Sequence, residues 1–237
     1  PDETMLNPSK PAPVVGGNLE TSQRIVDVIF SALADAEVPS IPAGSNGSMN
    51  NVTFGSSAGG SSQNYTFYET IGGGAGARPD RDGVDGIHCH MTNTRNTPVE
   101  VIESNYPLRV ERYELRRDSG GAGKYRGGLG IRRDIRVLED GTEFSLLSDR
   151  RRYKPRGLRG GKPGKSGDDR IVRNGTEKSI PGKTALELNR NDLVSIRTPG
   201  GGGYGRTGDR DRTSIERDLR EERISGEKAR KDYPQKF

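Results

Sequence analysis

A chain of 237 residues is long enough for one large domain or two small ones, and it excludes neither. Only 29% of it is hydrophobic and 5% aromatic, with no Trp, but 34 positions are Gly, so part of the apolar deficit is backbone-rich chain rather than missing core. The net charge of +5 comes from Arg mixed with acids, as in Arg112-Tyr113-Glu114 and Arg217-Asp218, and without a basic stripe or aromatic platforms it argues against nucleic acid as a partner.

The chain opens on Pro1-Asp2-Glu3-Thr4 with no initiator Met, and Pro8, Pro11 and Pro13 forbid a helix there. Pro1 to Val14 therefore reads as a connecting segment, and the chain as a piece of a longer polypeptide. Asn18, after Gly16-Gly17, reads as a helix N-cap. Ile25, Val28, Ile29, Ala32, Leu33 and Ala36 follow at i, i+3, i+4 spacing and predict an amphipathic helix over Leu19 to Ala36, ended by Val38-Pro39. A polar Gly- and Asn-rich stretch leads to a short strand at Val52-Thr53-Phe54, a flexible loop over residues 55–62, and a strong strand over Tyr65 to Ile71. A Gly run from Gly72, an acidic loop and the segment His88 to Pro98 precede a short helix or turn over Val99 to Glu103.

From Tyr106 the period changes to two. Strands are predicted at Arg109 to Leu115, Ile131 to Leu138, Thr142 to Leu147, Lys183 to Leu188 and Leu193 to Ile196, parted by Gly-rich turns. Thr213 to Lys231 predicts two short helices around Ser225-Gly226, with Ile215, Leu219 and Ile224 as a thin apolar stripe for docking. The expected class is α+β. An N-terminal helix with a Gly-, Asn- and His-rich pocket region occupies residues 1–105. An antiparallel β-rich unit, sandwich or open barrel, occupies 106–205, and a charged helical tail 206–237.

Cys89 is the only cysteine, so no intrachain disulfide forms, and a reducing, cytoplasmic compartment fits. No apolar run approaches the roughly 20 residues of a membrane span, and no signal peptide is visible, so no membrane is expected as a partner. Gly164-Lys165-Ser166 resembles the end of a phosphate loop, but the motif needs Gly where Arg159 stands, so no ATP site is read here.

Several blocks together carry a family resemblance. They are Asn18-Leu19-Glu20-Thr21-Ser22-Gln23-Arg24, Ser48-Met49-Asn50-Asn51, Tyr68-Glu69-Thr70-Ile71-Gly72-Gly73-Gly74, the run from His88 to Glu100, Tyr106-Pro107-Leu108-Arg109-Val110, Asp149-Arg150-Arg151-Arg152 and Pro199 to Gly205. In this order they resemble the C-terminal half of the hydantoinase B/5-oxoprolinase family, the N-methylhydantoinase B-type subunit. The resemblance implies a hydantoinase A-type partner subunit that binds ATP and Mg. The two together hydrolyse a small cyclic amide, a hydantoin or 5-oxoproline. The alternatives are a subunit of an ATP-dependent ketone carboxylase and a non-catalytic structural fragment. Because the match falls in the C-terminal half, the resemblance also implies a missing N-terminal half of the B-type subunit, with a divalent metal there, and an isolated chain that is inactive.

Lactam opening needs an activated amide, a held substrate and a directed water. His88 and His90, the only histidines, lie two apart, which on a strand puts both on one face. They read as a general base with its orienting partner, as two ligands of a metal completed elsewhere, or as polar residues structuring a loop. Glu69 reads as an acid–base group or as an ion-pair partner of Arg78. Asn93, Arg95 and Asn96 suit a carboxylate or acyl phosphate, or simply turns. Asn50 and Asn51 read as substrate-facing amides or Asx-type turns, and Asn46 as a turn. Cys89 reads as a buried small residue rather than a nucleophile. The loops between Asn46 and Pro98 are thus expected to form one wall of a pocket, with its other walls on other polypeptide.

Overall fold

Alternating apolar residues in the middle of the chain fold into two antiparallel sheets that share one core. The computed structural model describes residues 2–4, 6–12, 18–36, 38–56 and 64–237. In chain order the elements are helix α1 (Asn18–Asp35), strands β1 (Asn51–Ser56) and β2 (Thr66–Thr70), and helix α2 (Val99–Asn105). Strands β3 (Leu108–Arg116), β4 (Gly130–Val137), β5 (Thr142–Leu147), β6 (Arg170–Arg173), β7 (Thr176–Ser179), β8 (Lys183–Leu188) and β9 (Leu193–Arg197) follow, then helices α3 (Arg212–Arg220) and α4 (Gly226–Asp232). The loop expected over residues 55–62 falls largely outside the described residues, as do Pro13, Val14 and the Gly16-Gly17 pair. No helix among the described residues is long and apolar enough to cross a membrane.

One sheet has the order β2-β1-β5-β8 and the other β3-β4-β9-β6-β7. The first takes two strands from each side of residue 105, so the pocket region and the β-rich unit share a sheet. Its register sets Phe54 opposite both Phe67 and Phe144. The Phe54 ring lies 5.0 Å from Phe144 and 6.4 Å from Phe67, a spacing at which aromatic rings attract. The facing sheet adds Leu108, Ile131, Ile135, Val137, Ile171, Val194 and Ile196 to the same buried cluster, making the sandwich of the two architectures expected.

Two strands escape the sequence pattern. β6 and β7 are four residues each and largely polar, so they carry no period-two signal. Their hairpin turns at Asn174-Gly175, where both residues have positive φ, 50° and 75°. Asn-Gly is the pair that such a two-residue turn favours, and it was the only local signal available.

A second core contains almost no side chains. Segments 43–44, 73–77, 120–128, 157–164 and 199–205 run beside one another as neither helix nor sheet, tied by backbone hydrogen bonds. Gly201 N donates to Gly128 O at 2.8 Å, Gly202 N to Gly44 O at 2.8 Å, Gly203 N to Lys162 O at 2.9 Å and Gly121 N to Gly201 O at 2.8 Å. The chains approach so closely that a Cβ on Gly201 would land on the Ala75 carbonyl, and one on Gly74 on the Gly128 carbonyl. Only glycine permits this approach. The Gly runs are therefore interior structure, which explains a low hydrophobic fraction in a chain with a buried centre.

The tail docks on this bundle. Asp211 and Ser225 cap α3 and α4 by accepting from Ser214 N (3.2 Å) and Lys228 N (3.1 Å). Ile215, Ile224, Ala229 and Tyr233 pack with Ala122, and Leu219 packs against them. Buried Arg210 and Arg126 both bond Asp218, and they reach back to Asp82 and Asp85 respectively.

Candidate functional site

The polar residues worth testing for function converge on the inner face of α1. Glu20, Gln23, Arg24 and Asp27 stand at i, i+3, i+4, i+7 spacing, one face of a helix. That face, not the apolar one, meets the protein. Glu20 Oε1 accepts from Met49 N (2.9 Å), Ser48 Oγ (3.2 Å) and Asn51 Nδ2 (3.3 Å). Burial raises the Glu20 pKa and nearby Asp149 adds to that, against the Met49 N–H, Ser48 and Arg24. Gln23 Nε2 donates to Cys89 O (2.9 Å) and Thr92 Oγ1 (3.2 Å), pinning the His88 to Thr92 segment to the helix.

Asp27 is the hub. Its Oδ1 lies 3.2 Å from His90 Nε2, and its Oδ2 meets Arg24 at 2.7 Å and Arg150 at 2.8 Å. Burial opposes ionisation of Asp27. The hydrogen bond to His90 and the Arg24 and Arg150 charges outweigh it, so the carboxyl stays below its usual range. Phe30 packs edge-on to the His90 ring, 5.7 Å between centroids. A hollow of about 240 Å³ opens beside this cluster, lined among others by Asp27, Phe30, Gly44, Arg150 and Arg156. A wider cleft of about 820 Å³, lined by Arg116, Arg152, Lys154 and Lys165 among others, meets the cluster through the Gly167 N–H bond to the Arg150 carbonyl and contains neither Asp27 nor Phe30. We take the smaller hollow as the candidate site, because it touches the histidine's own partners.

The seam is incompletely satisfied. Glu20 Oε2, Gln23 Oε1, Arg24 Nε, Arg150 Nε and both ring nitrogens of His88 are buried without a hydrogen-bond partner among the described residues. Buried polar atoms in folded proteins are nearly always paired, and the seam holds most of the exceptions, the others being on Arg126, Arg133 and Arg210.

The two histidines do not share a strand face. His90 has φ of 58°, which breaks any extended run and turns its ring toward α1. His88 is half-buried, and burial pushes its pKa down against a smaller contribution from the Thr70 backbone, so its ring stays neutral. Among the described residues no group of three or more His, Cys, Asp or Glu side chains is placed to hold a metal ion.

The other expected residues divide into held and open. Glu69 is buried, ion-paired with Arg133 on β4, and accepts from Thr97 N at 2.5 Å, so its partner is Arg133 and not Arg78. Asn50, fully buried with φ of 49°, donates to Ile71 O (2.7 Å) and accepts from Arg151 (2.6 Å). Asn51 donates to Leu147 O (3.0 Å) and accepts from Tyr68 Oη (2.7 Å). Asn96 bridges Thr70 O and Tyr113 Oη at 2.8 Å each. Asn93 and Arg95 are exposed, with no side-chain partner among the described residues. Asn46 Oδ1 accepts from Ser48 N at 3.3 Å, the turn expected of it. Burial pushes the Cys89 thiol up to about 11, which suits a structural rather than a nucleophilic residue.

Sequence reasoning missed Glu20, Gln23, Arg24, Asp27 and Arg150. The signal was present: four polar residues at helical spacing opposite an apolar stripe. A polar helix face is normally the wet one, so the pattern pointed outward.

Residues 1–207 match the sequence profile of the family described as Hydantoinase B/oxoprolinase. The chain is 51% identical over its full length to an uncharacterised protein of Methanocaldococcus jannaschii, covering 41% of that protein. It is 44% identical over 86% of its length to a 5-oxoprolinase of Dictyostelium discoideum, covering 15% of it. Among solved structures, the ATP-dependent caprolactamase of Pseudomonas jessenii aligns over 98% of this chain and 42% of its own, with a TM-score of 0.83 and 26% identity. The chain thus spans about two fifths or less of the relatives it matches.

Proposed function

This chain belongs to the hydantoinase B/oxoprolinase family, and from that premise we propose that it is one component of an ATP-dependent enzyme that hydrolyses a cyclic amide. The 5-oxoprolinase and caprolactamase relatives support the reaction class. The observation that carries the assignment to this region is the half-satisfied seam around Asp27 and His90, beside a hollow too small for a drug-sized ligand. ATP and Mg belong to an A-type partner subunit in this reading, and any catalytic metal to polypeptide beyond this chain.

The chemistry left to this chain is positioning and proton handling. Asp27 fixes the His90 ring through Nε2, and in this reading the free Nδ1 takes a proton from water relayed to the ring, which touches Asp27 and Phe30 of the hollow's wall without lining it itself. Arg150, held by the same carboxylate, and Arg156 on the hollow's wall supply positive charge for a substrate carboxylate or transferred phosphoryl group. Exposed Asn93 and Arg95 stand ready for contacts from the open side. Neutral His88 is a second donor or acceptor in the same segment. Asn50, Asn51, Asn96 and Glu69 act by holding the wall rather than by touching substrate.

The test is reconstitution. This chain is combined with an A-type subunit and the remaining B-type polypeptide, and ADP release and ring opening are followed with 5-oxoproline, a hydantoin and a lactam. Coupled turnover is expected, with His90→Ala lowering kcat by about 100-fold at unchanged assembly. Bicarbonate-dependent turnover of a ketone, with no cyclic amide opened, would replace hydrolysis by carboxylation. Full activity in His90→Ala would remove this residue from the mechanism.

A further inference from the structure

α1 is built inside out. Glu20, Gln23, Arg24 and Asp27 face the protein, as described above, while Ile25, Val28, Ile29 and Leu33 face solvent and only Ala34 among its aliphatic residues is buried. Val28 is 67% exposed, Ile29 50%, Ile25 39% and Leu33 38%, and Ala32 and Ala36 on the same face are exposed too. Met91, 63% exposed, sits on the turn that Gln23 and Phe30 hold against the helix. Scattered apolar residues on a surface need no explanation, but an aligned helical stripe does. A free surface helix places its polar face outward. This one is patterned as if the solvent side were interior.

Two occupants compete. A second copy of this chain would bury a stripe running from Ile25 to Ala36, about 17 Å at the helical rise. A stable dimer needs roughly 800 Å² on each partner, more than one helix face of that length provides. The alternative is polypeptide that packs here as one part of a larger contact. The relatives supply it: this chain matches along its whole length yet covers 41% and 42% of two of them, so more than half of each relative lies outside the match.

We infer that the Ile25, Val28, Ile29 and Leu33 face of α1 is the docking surface for the polypeptide that family members carry beyond the region matched here. The inference rests on family membership and on helix geometry, and not on any catalytic activity.

The experiment co-expresses this chain with a tagged polypeptide comprising the unmatched portion of the Methanocaldococcus jannaschii relative. A one-to-one complex is expected, with amides over residues 25–36 exchanging at least about tenfold more slowly than in the chain alone. The double variant Val28→Asp, Ile29→Asp should lower recovery of the complex by about tenfold or more. Both side chains are exposed, so the variant alone should keep the parent's thermal midpoint and circular dichroism. Ile25→Asp, alone, serves as a second variant if the pair disturbs the helix. Failure to form a complex overturns the inference. So does a complex that the variants leave intact, or a homodimer of this chain that the variants split. A complex that buries α1 but opens no cyclic amide upholds this inference and removes only the proposed reaction.

Discussion

The sandwich core and the glycine core exclude water by opposite means. Between the sheets, Phe54, Phe144, Ile135 and Val194 fill space with side chains, and the chain segments stand apart at ordinary sheet distances. In the bundle around Gly200 to Gly203 the backbones themselves are the filling. The first core tolerates a smaller residue at the cost of a cavity. The second cannot accept even one added methyl, because each extra Cβ meets a carbonyl that is already hydrogen-bonded. The comparison teaches that a chain poor in apolar residues can still own an interior, provided its glycines coincide with the crossing points.

The sharpest way to break that comparison is Gly201→Ala. The Ala75 carbonyl has nowhere to go, so the expected loss exceeds about 5 kcal/mol, measured by denaturant unfolding or seen as failure to fold. A variant with near-parent stability would show the bundle to be loose. Phe144→Ala, in the other core, should lose about 3–5 kcal/mol while keeping a cooperative transition, since neighbouring side chains relax toward the void. If it cost more than Gly201→Ala, the ranking of the two cores would be reversed.

Asp27 offers a pH test at the margin of the glycine core. Its carboxyl is held below the unfolded value of about 3.9, so its contribution is complete above that pH and is lost as pH falls through the lower folded value. Asp27→Asn should therefore be less stable than the parent at pH 6, and the gap should narrow on titration to pH 2. A constant gap would mean that charge plays no part. The smallest expected effect is Gly226→Ala. This glycine opens α4 with nothing near its would-be Cβ, so alanine should stabilise by about 0.4–1 kcal/mol in thermal melts. Destabilisation there would show that glycine is required beyond the bundle.

Legibility followed the same division. Helix α1 and the seven longer strands announced themselves by spacing, and Val99 to Glu103 admitted a helix or a turn. The tail stripe of Ile215, Leu219 and Ile224, expected on a neighbour or on the core, docks on this chain beside Ala122. The short β6–β7 hairpin stayed silent because β6 sets its two apolar residues side by side and β7 is polar throughout, so neither alternates. At the site, the histidine segment was legible as polar and unusual. Its partners were not, because Asp27 and Arg150 lie 123 positions apart and only the fold brings them to 2.8 Å. The strand argument that aligned His88 with His90 failed at one dihedral, the positive φ of His90, which local sequence does not reveal.

Composition and periodicity by themselves determined the class of the fold and the order of most elements, while the Gly runs, expected as turns between strands, proved to be interior only in the tertiary structure. Class and order were legible because hydrophobic alternation acts locally, residue by residue. Tertiary structure alone decided which face of α1 points inward and which carboxylate holds which base. Those outcomes depend on long-range pairing, where a buried ion pair and an unburied aliphatic stripe are fixed together by what the rest of the chain presents to the helix.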